Sequence, residues 1–170
     1  LQTIGFTPGG ASYSRQWKRA GLDKLKRCDV VTSYISTDDG VVSIACTYGL
    51  ASSDIAAAAK VKRTYTFFHD RFEVRTELNV PRSWPTLPRV GLTCDLQGDD
   101  FEISWYGKGP HETYPDRKQC GTTRLWRATD ADALHTPYLY PSENGNRTDT
   151  RWIACRRNTT GAGVLFFTKE

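Results

Sequence analysis

The chain has 170 residues, 38% of them hydrophobic and 12% aromatic, so it is long enough to bury a core without staples and too apolar to be disordered. Its net charge of +4 is mild, and lysines and arginines are interleaved with acids, which gives no basis for nucleic-acid binding. No apolar run approaches the ~20 residues of a membrane-spanning helix, and no charged-then-apolar leader opens the chain.

Thr7-Pro8-Gly9-Gly10 is a turn-rich lead-in. Tyr13, Trp17, Ala20 and Gly21 then recur near helical spacing, with Ser12 or Ser14 as a cap, which predicts one short helix whose Trp17 packs against the core. From residue 28 the period becomes two. Val30 to Ile35 reads as a strand, Asp38-Asp39-Gly40 as a hairpin turn, and Val42, Ile44, Cys46 and Tyr48 as one face of the return strand. Ala51 to Ala59 carries helix-favouring alanines but no helical stripe, and reads as a loop. Val61, Arg63, Tyr65 and Phe67 alternate, and His69-Asp70 turns the chain. Phe72, Val74, Thr76, Leu78 and Val80 then face one way, opposite the charged row Arg71, Glu73, Arg75, Glu77 and Asn79, a solvated sheet surface. Pro81, Pro85 and Pro88 end that strand, and Leu92, Cys94 and Leu96 start the next.

Phe101, Ile103 and Trp105 alternate with Glu102, Ser104 and Tyr106 as in a half-buried strand, and Gly107, Gly109 and Pro110 are expected to break its ladder. A loop bearing Glu112, Tyr114, Asp116 and Arg117 follows, and Cys120 to Asp132 reads as irregular. Tyr138, Tyr140, Glu143, Asn144 and Arg147 repeat the same mixture of aromatic, carboxylate and arginine groups, so the two stretches read as one polar surface assembled from two places. Trp152, Ala154 and Arg156 alternate against Ile153 and Cys155, and Val164 to Phe167 is the last strand. Short strands at regular spacing with one N-terminal helix predict an all-β, antiparallel two-sheet sandwich, residues 1–170 forming a single domain.

Cys28, Cys46, Cys94, Cys120 and Cys155 show no metal-ligand spacing, so no metal or other cofactor is expected. They are either free core thiols or one or two disulfides with a thiol left over, the second implying an oxidising compartment. Asn146-Arg147-Thr148 and Asn158-Thr159-Thr160 are formal glycosylation acceptors, which lean toward secretion.

The segment Trp105 to Arg117, the run Leu87-Pro88-Arg89-Val90-Gly91-Leu92 and the run from Tyr140 to Arg147 together resemble the small chain, or C-terminal β-sandwich domain, of family 2 β-galactosidases. Arg15-Gln16-Trp17 and Ala20-Gly21-Leu22 fit its first segment more loosely. The resemblance sharpens the fold to the large sandwich shared with galactose mutarotases. It also implies that the sandwich continues beyond Glu170, so the chain resembles its first part. With no methionine and a start at Leu1, the chain reads as processed or excised. A bacterial-type fragment of this kind would be cytoplasmic.

The family places its catalytic glutamates in a separate barrel domain, so no catalytic residue is expected here, although Glu112, Asp116 and Glu143 supply the carboxylates a glycosidase needs. A mutarotase-like reading would need a glutamate base and a histidine acid; His111 and Glu112 are adjacent and on a strand would diverge. Two roles compete for the paired stretches. Arg117 and Arg147 are suited to tie the loops together through carboxylates. Alternatively the surface binds galactose-type sugar, with Trp105, Tyr114, Tyr138 and Tyr140 as plates and Glu112, Asp116, Arg117, Glu143, Asn144 and Arg147 as the polar rim. The expected partners are accordingly a galactose-type sugar or glycan, as for a lectin, or a catalytic barrel domain and homo-oligomer that the chain buttresses.

Overall fold

The computed structural model describes residues 12–36, 40–55, 57–140 and 142–168. The Thr7 to Gly10 lead-in and most of the Asp38-Asp39-Gly40 turn lie outside the described residues. The chain divides into two compact units, one running to Gly91 and the other from Leu92 onward, each built on one antiparallel four-stranded sheet. The all-β class, the two antiparallel sheets and, among the described residues, one short α-helix are as expected from the sequence.

In the first unit, helix α1 (Tyr13–Arg19) starts at Ser12, whose hydroxyl accepts from the Arg15 amide, and Lys18 and Arg19 complement the negative end of its last turn. Trp17 stacks on Tyr13 and donates its indole N–H to the Thr86 carbonyl at 2.8 Å. Strands β1 (Lys26–Ser36), β2 (Val42–Ala51), β3 (Ala59–Phe67) and β4 (Phe72–Asn79) form a meander in chain order. Its register places Tyr48, Val61 and Leu78 in one row and Ile44, Tyr65 and Val74 in another on the same face. Arg75 and Glu77 lie on the opposite face and pair there in solvent, as the period-two pattern requires.

In the second unit, β5 (Phe101–Gly109) is central, flanked by β6 (Thr122–Ala128) on one side and by β7 (Trp152–Arg157) and β8 (Gly163–Phe167) on the other. Ile103 pairs with Ala128 and Cys155, and Trp105 with Trp126 and Ile153. These side chains share one face and, with Leu134, form the core.

Three expectations are corrected. Residues 92–97 form no strand; Leu92 and Cys94 are exposed and no ladder partner lies beside them. The stretch from Cys120 to Asp132 is not irregular, because it contains β6. That strand was hidden because it is an edge whose outward face carries Leu125 between Thr123 and Arg127 and whose inward face includes Thr122 and Arg124, so alternation is faint. Gly107 and Gly109 do not break β5, which runs through both and stops at Pro110. They are there for close approach: a Cβ on Gly107 would lie 2.7 Å from the Thr150 Cα, and one on Gly109 would lie 2.8 Å from the Trp126 ring. All five cysteines are free thiols.

Gly107→Ala is expected to destabilise the chain by about 2 kcal/mol, because the obstructing atom is backbone and cannot swing away. A lowered urea midpoint would register this. Gly91→Ala, where nothing lies within 4 Å of the added methyl, should leave the midpoint unchanged.

Candidate functional site

The two stretches singled out in the sequence meet, and both belong to the second unit. They are stitched along their backbones. The Thr113 amide donates to the Asn146 carbonyl at 2.8 Å, Asn146 Nδ2 returns a bond to the Thr113 carbonyl at 2.7 Å, and the Thr148 amide donates to Thr113 Oγ1 at 2.9 Å. Thr113 is fully buried at the centre of this seam. Nothing in its sequence position marks it, since a threonine between two conspicuous residues reads as filler. Asn146, formally a glycosylation acceptor, spends its side-chain amide on this seam.

Glu112 is the buried charge of the site, only 3% exposed. Its Oε1 accepts from Arg117 Nη2 at 2.5 Å and from the Tyr138 hydroxyl, and its Oε2 from the Gly145 amide at 2.9 Å. Burial alone would push the carboxyl upward. The bonds from Tyr138, Gly145 and Arg117 outweigh it and hold the group below the ordinary glutamate value. Arg117 reaches Glu112 because Tyr114-Pro115-Asp116-Arg117 folds into a tight turn, closed by the Arg117 amide on the Tyr114 carbonyl at 2.8 Å. The turn also sets the guanidinium 5.4 Å from the Tyr114 ring centre, and a second bond of 3.2 Å joins it to the Tyr138 hydroxyl.

Arg147 departs from expectation. Instead of a carboxylate it takes two carbonyls, Pro110 at 3.0 Å and Leu134 at 3.4 Å, and lies 5.4 Å from the ring centre of Trp105. Burial lowers its affinity for the proton, with Glu112 and Tyr114 opposing that effect. Trp105 itself is 3% exposed and gives its indole N–H to the Lys108 carbonyl at 3.0 Å, so it is a core ring and presents no plate to solvent.

The remaining candidates divide by exposure. Asn144 is bound in both directions to the backbone of Thr136, accepting its amide at 2.9 Å and donating to its carbonyl. Tyr114 is half-buried, and its phenol is held above its usual range by burial first and then by the charges of Glu112 and Glu143. Asp116 is exposed at the turn. Tyr138 is 40% exposed, Leu139 98% and Tyr140 80%, so the second stretch carries a projecting apolar tip. His111 is exposed while Glu112 is buried, and the neighbours do not converge.

Replacing Glu112 by Gln should cost about 2 kcal/mol at neutral pH, because three donors lose an anionic acceptor. The pH dependence follows from the lowered value. The charge of Glu112 stabilises the fold above the unfolded glutamate value of about 4.3 and loses that effect as pH falls through the folded value. Chemical denaturation between about pH 6 and 3 should show wild-type stability falling more steeply than that of Glu112→Gln. Asp54, Asp100 and Asp130, also held low by hydrogen bonds, would give the variant its remaining slope.

Residues 9–170 match the family model described as the β-galactosidase small chain. Both stretches of the site lie within that match. The β-galactosidase of Vibrio cholerae is 42% identical over 146 residues, that of Aeromonas hydrophila 36% over 149, and that of Pectobacterium atrosepticum 35% over 140. The alignments cover 84%, 84% and 82% of this chain but only 14%, 14% and 13% of those relatives, so the chain spans a small part of their length. The loop seam, the buried glutamate and its arginine therefore sit in a known context: the chain belongs to the β-galactosidase small-chain family.

Proposed function

We propose that the chain is a non-catalytic small-chain module whose paired loops form a rigid edge that docks on the remainder of a β-galactosidase and supports its catalytic barrel or its oligomer. The observation that carries this reading is the internal use of the polar candidates. Glu112, Arg117 and Asn144 already satisfy one another or nearby backbone, and Arg147 spends its two terminal nitrogens on backbone carbonyls although its buried Nε is left without a hydrogen-bond partner, which is how a structural tie behaves. A sugar rim would need such groups aimed outward. The projecting Leu139 and Tyr140 beside the tie give a partner surface an apolar anchor on a preorganised base. The same saturation argues against a base role for Glu112 in mutarotase-like chemistry.

Binding of galactose-type sugar is the second reading, favoured by the open ring of Tyr140, the half-open ring of Tyr138 and the exposed side chain of Asp116. Among the described residues no helix is long and apolar enough to cross a membrane.

Two measurements separate the readings. A β-galactosidase lacking the matching segment should bind the added chain, and the paired change Leu139→Asp with Tyr140→Ala should weaken that association at least about tenfold. The chain should pass unretained through immobilised galactose. Retention with elution by free galactose, and association indifferent to the tip, would reverse the assignment in favour of a lectin.

A further inference from the structure

The only asparagine followed by glycine in the sequence is Asn144. In general this dipeptide is chemically the most labile in a chain, because glycine lacks a side chain to hinder its own backbone nitrogen. That nitrogen, on losing its proton, attacks the asparagine Cγ. The N–Cγ bond forms, the Cγ–Nδ2 bond breaks, and ammonia leaves after taking up the proton. The cyclic imide then adds water at either carbonyl to give aspartate or isoaspartate. The sum is amide plus water to carboxylic acid plus ammonia, and it needs no oxidant and no enzyme.

Both reacting groups are restrained here. Asn144 Oδ1 accepts from the Thr136 amide at 2.9 Å and Nδ2 donates to the Thr136 carbonyl, so the side chain cannot rotate toward the next residue without losing two bonds. The Gly145 amide donates to Glu112 Oε2 at 2.9 Å, and an anionic acceptor opposes loss of that proton. Gly145 is itself held at a φ of 82° in the left-handed region, so the backbone as well as the side chain is fixed.

We infer that Asn144–Gly145 is a latent self-modification site, a bond primed for deamidation that the hydrogen bonds from Thr136 and Glu112 hold unreacted. Opening the clamp has an irreversible result. Aspartate at 144 loses the donor that served the Thr136 carbonyl and sets a carboxylate against it, and isoaspartate lengthens the backbone ahead of Gly145 and draws its amide away from Glu112. The clamp, once broken, does not re-form.

The test is a time course of the full chain at about pH 8.5 and 37 °C, with peptide mass mapping of residue 144 and amide hydrogen exchange at Gly145 in the same samples. Native chain should deamidate at least about tenfold more slowly than chain held unfolded in urea, because reaction proceeds through local opening. Tyr138→Phe removes one donor to Glu112, and Glu112→Gln removes the charge. Each should speed both Gly145 exchange and deamidation about tenfold, while the amides of Ile103 and Trp105 stay protected. Asn79, Asn146 and Asn158 precede Val80, Arg147 and Thr159 and serve as slow internal references. Equal rates in native and unfolded chain would overturn the inference, and so would variants whose Gly145 amide opens without faster loss of Asn144. Should Glu112→Gln lose core protection, the Tyr138→Phe comparison decides.

Discussion

A buried carboxylate must be supplied with donors or give up its charge, and this requirement at Glu112 organises the second unit. Removing an ion from water costs several kcal/mol, which hydrogen bonds recover only when their geometry is good. Glu112 collects an arginine, a phenol and a backbone amide, and each comes from a different piece of chain. Holding those three within reach obliges the turn at Tyr114, the strand-like seam through Thr113 and the bend at Gly145. The loops are therefore as fixed as the sheet that bears them.

The sheet prepares this arrangement from below. Trp105 on β5 fills the core, and its ring lies under the Arg147 guanidinium, so the arginine rests on apolar ground while its nitrogens hold the Pro110 and Leu134 carbonyls. Trp126 on β6 gives its indole N–H to the Gly107 and Thr122 carbonyls, both at 3.2 Å, which pins the end of β5 where the loop departs. Gly107 lets the Thr150 backbone come close enough for Lys108 to donate to the Thr148 carbonyl at 3.1 Å. Core packing and loop chemistry are thus one continuous structure, and family membership attaches to that whole rather than to any single reactive group.

Much of the fold was legible because it rests on period-two burial. The β3 and β4 pairing was readable, since Val61, Tyr65, Leu78 and Val74 mark one face and Lys60, Lys62, Glu73, Arg75 and Glu77 the other. β6 was not, because an edge strand needs little apolar surface and Thr122 and Arg124 share the face of Trp126. The glycines of β5 misled for a related reason: sequence shows that a side chain is missing and not whether a turn or a neighbouring backbone requires the space. At the site, composition singled out two stretches that meet in space, and Glu112 and Arg117 pair as their chemistry suggested. Direction was beyond reach. No pattern distinguishes an arginine that finds a carboxylate from one that finds carbonyls, as Arg147 does, or a tryptophan facing inward from one facing out.

The partners of the tie are distant along the chain, Glu112 and Gly145 being 33 positions apart. A ribosome making this polypeptide releases the carboxylate well before the amide that will cap it, so Glu112 first emerges hydrated. Its full dehydration must wait until Gly145 has been made and brought back to it. The seam consequently cannot close before Gly145 is made, and the nascent second sheet passes through an interval in which β5 and β6 are present while the rim above them is still open to water.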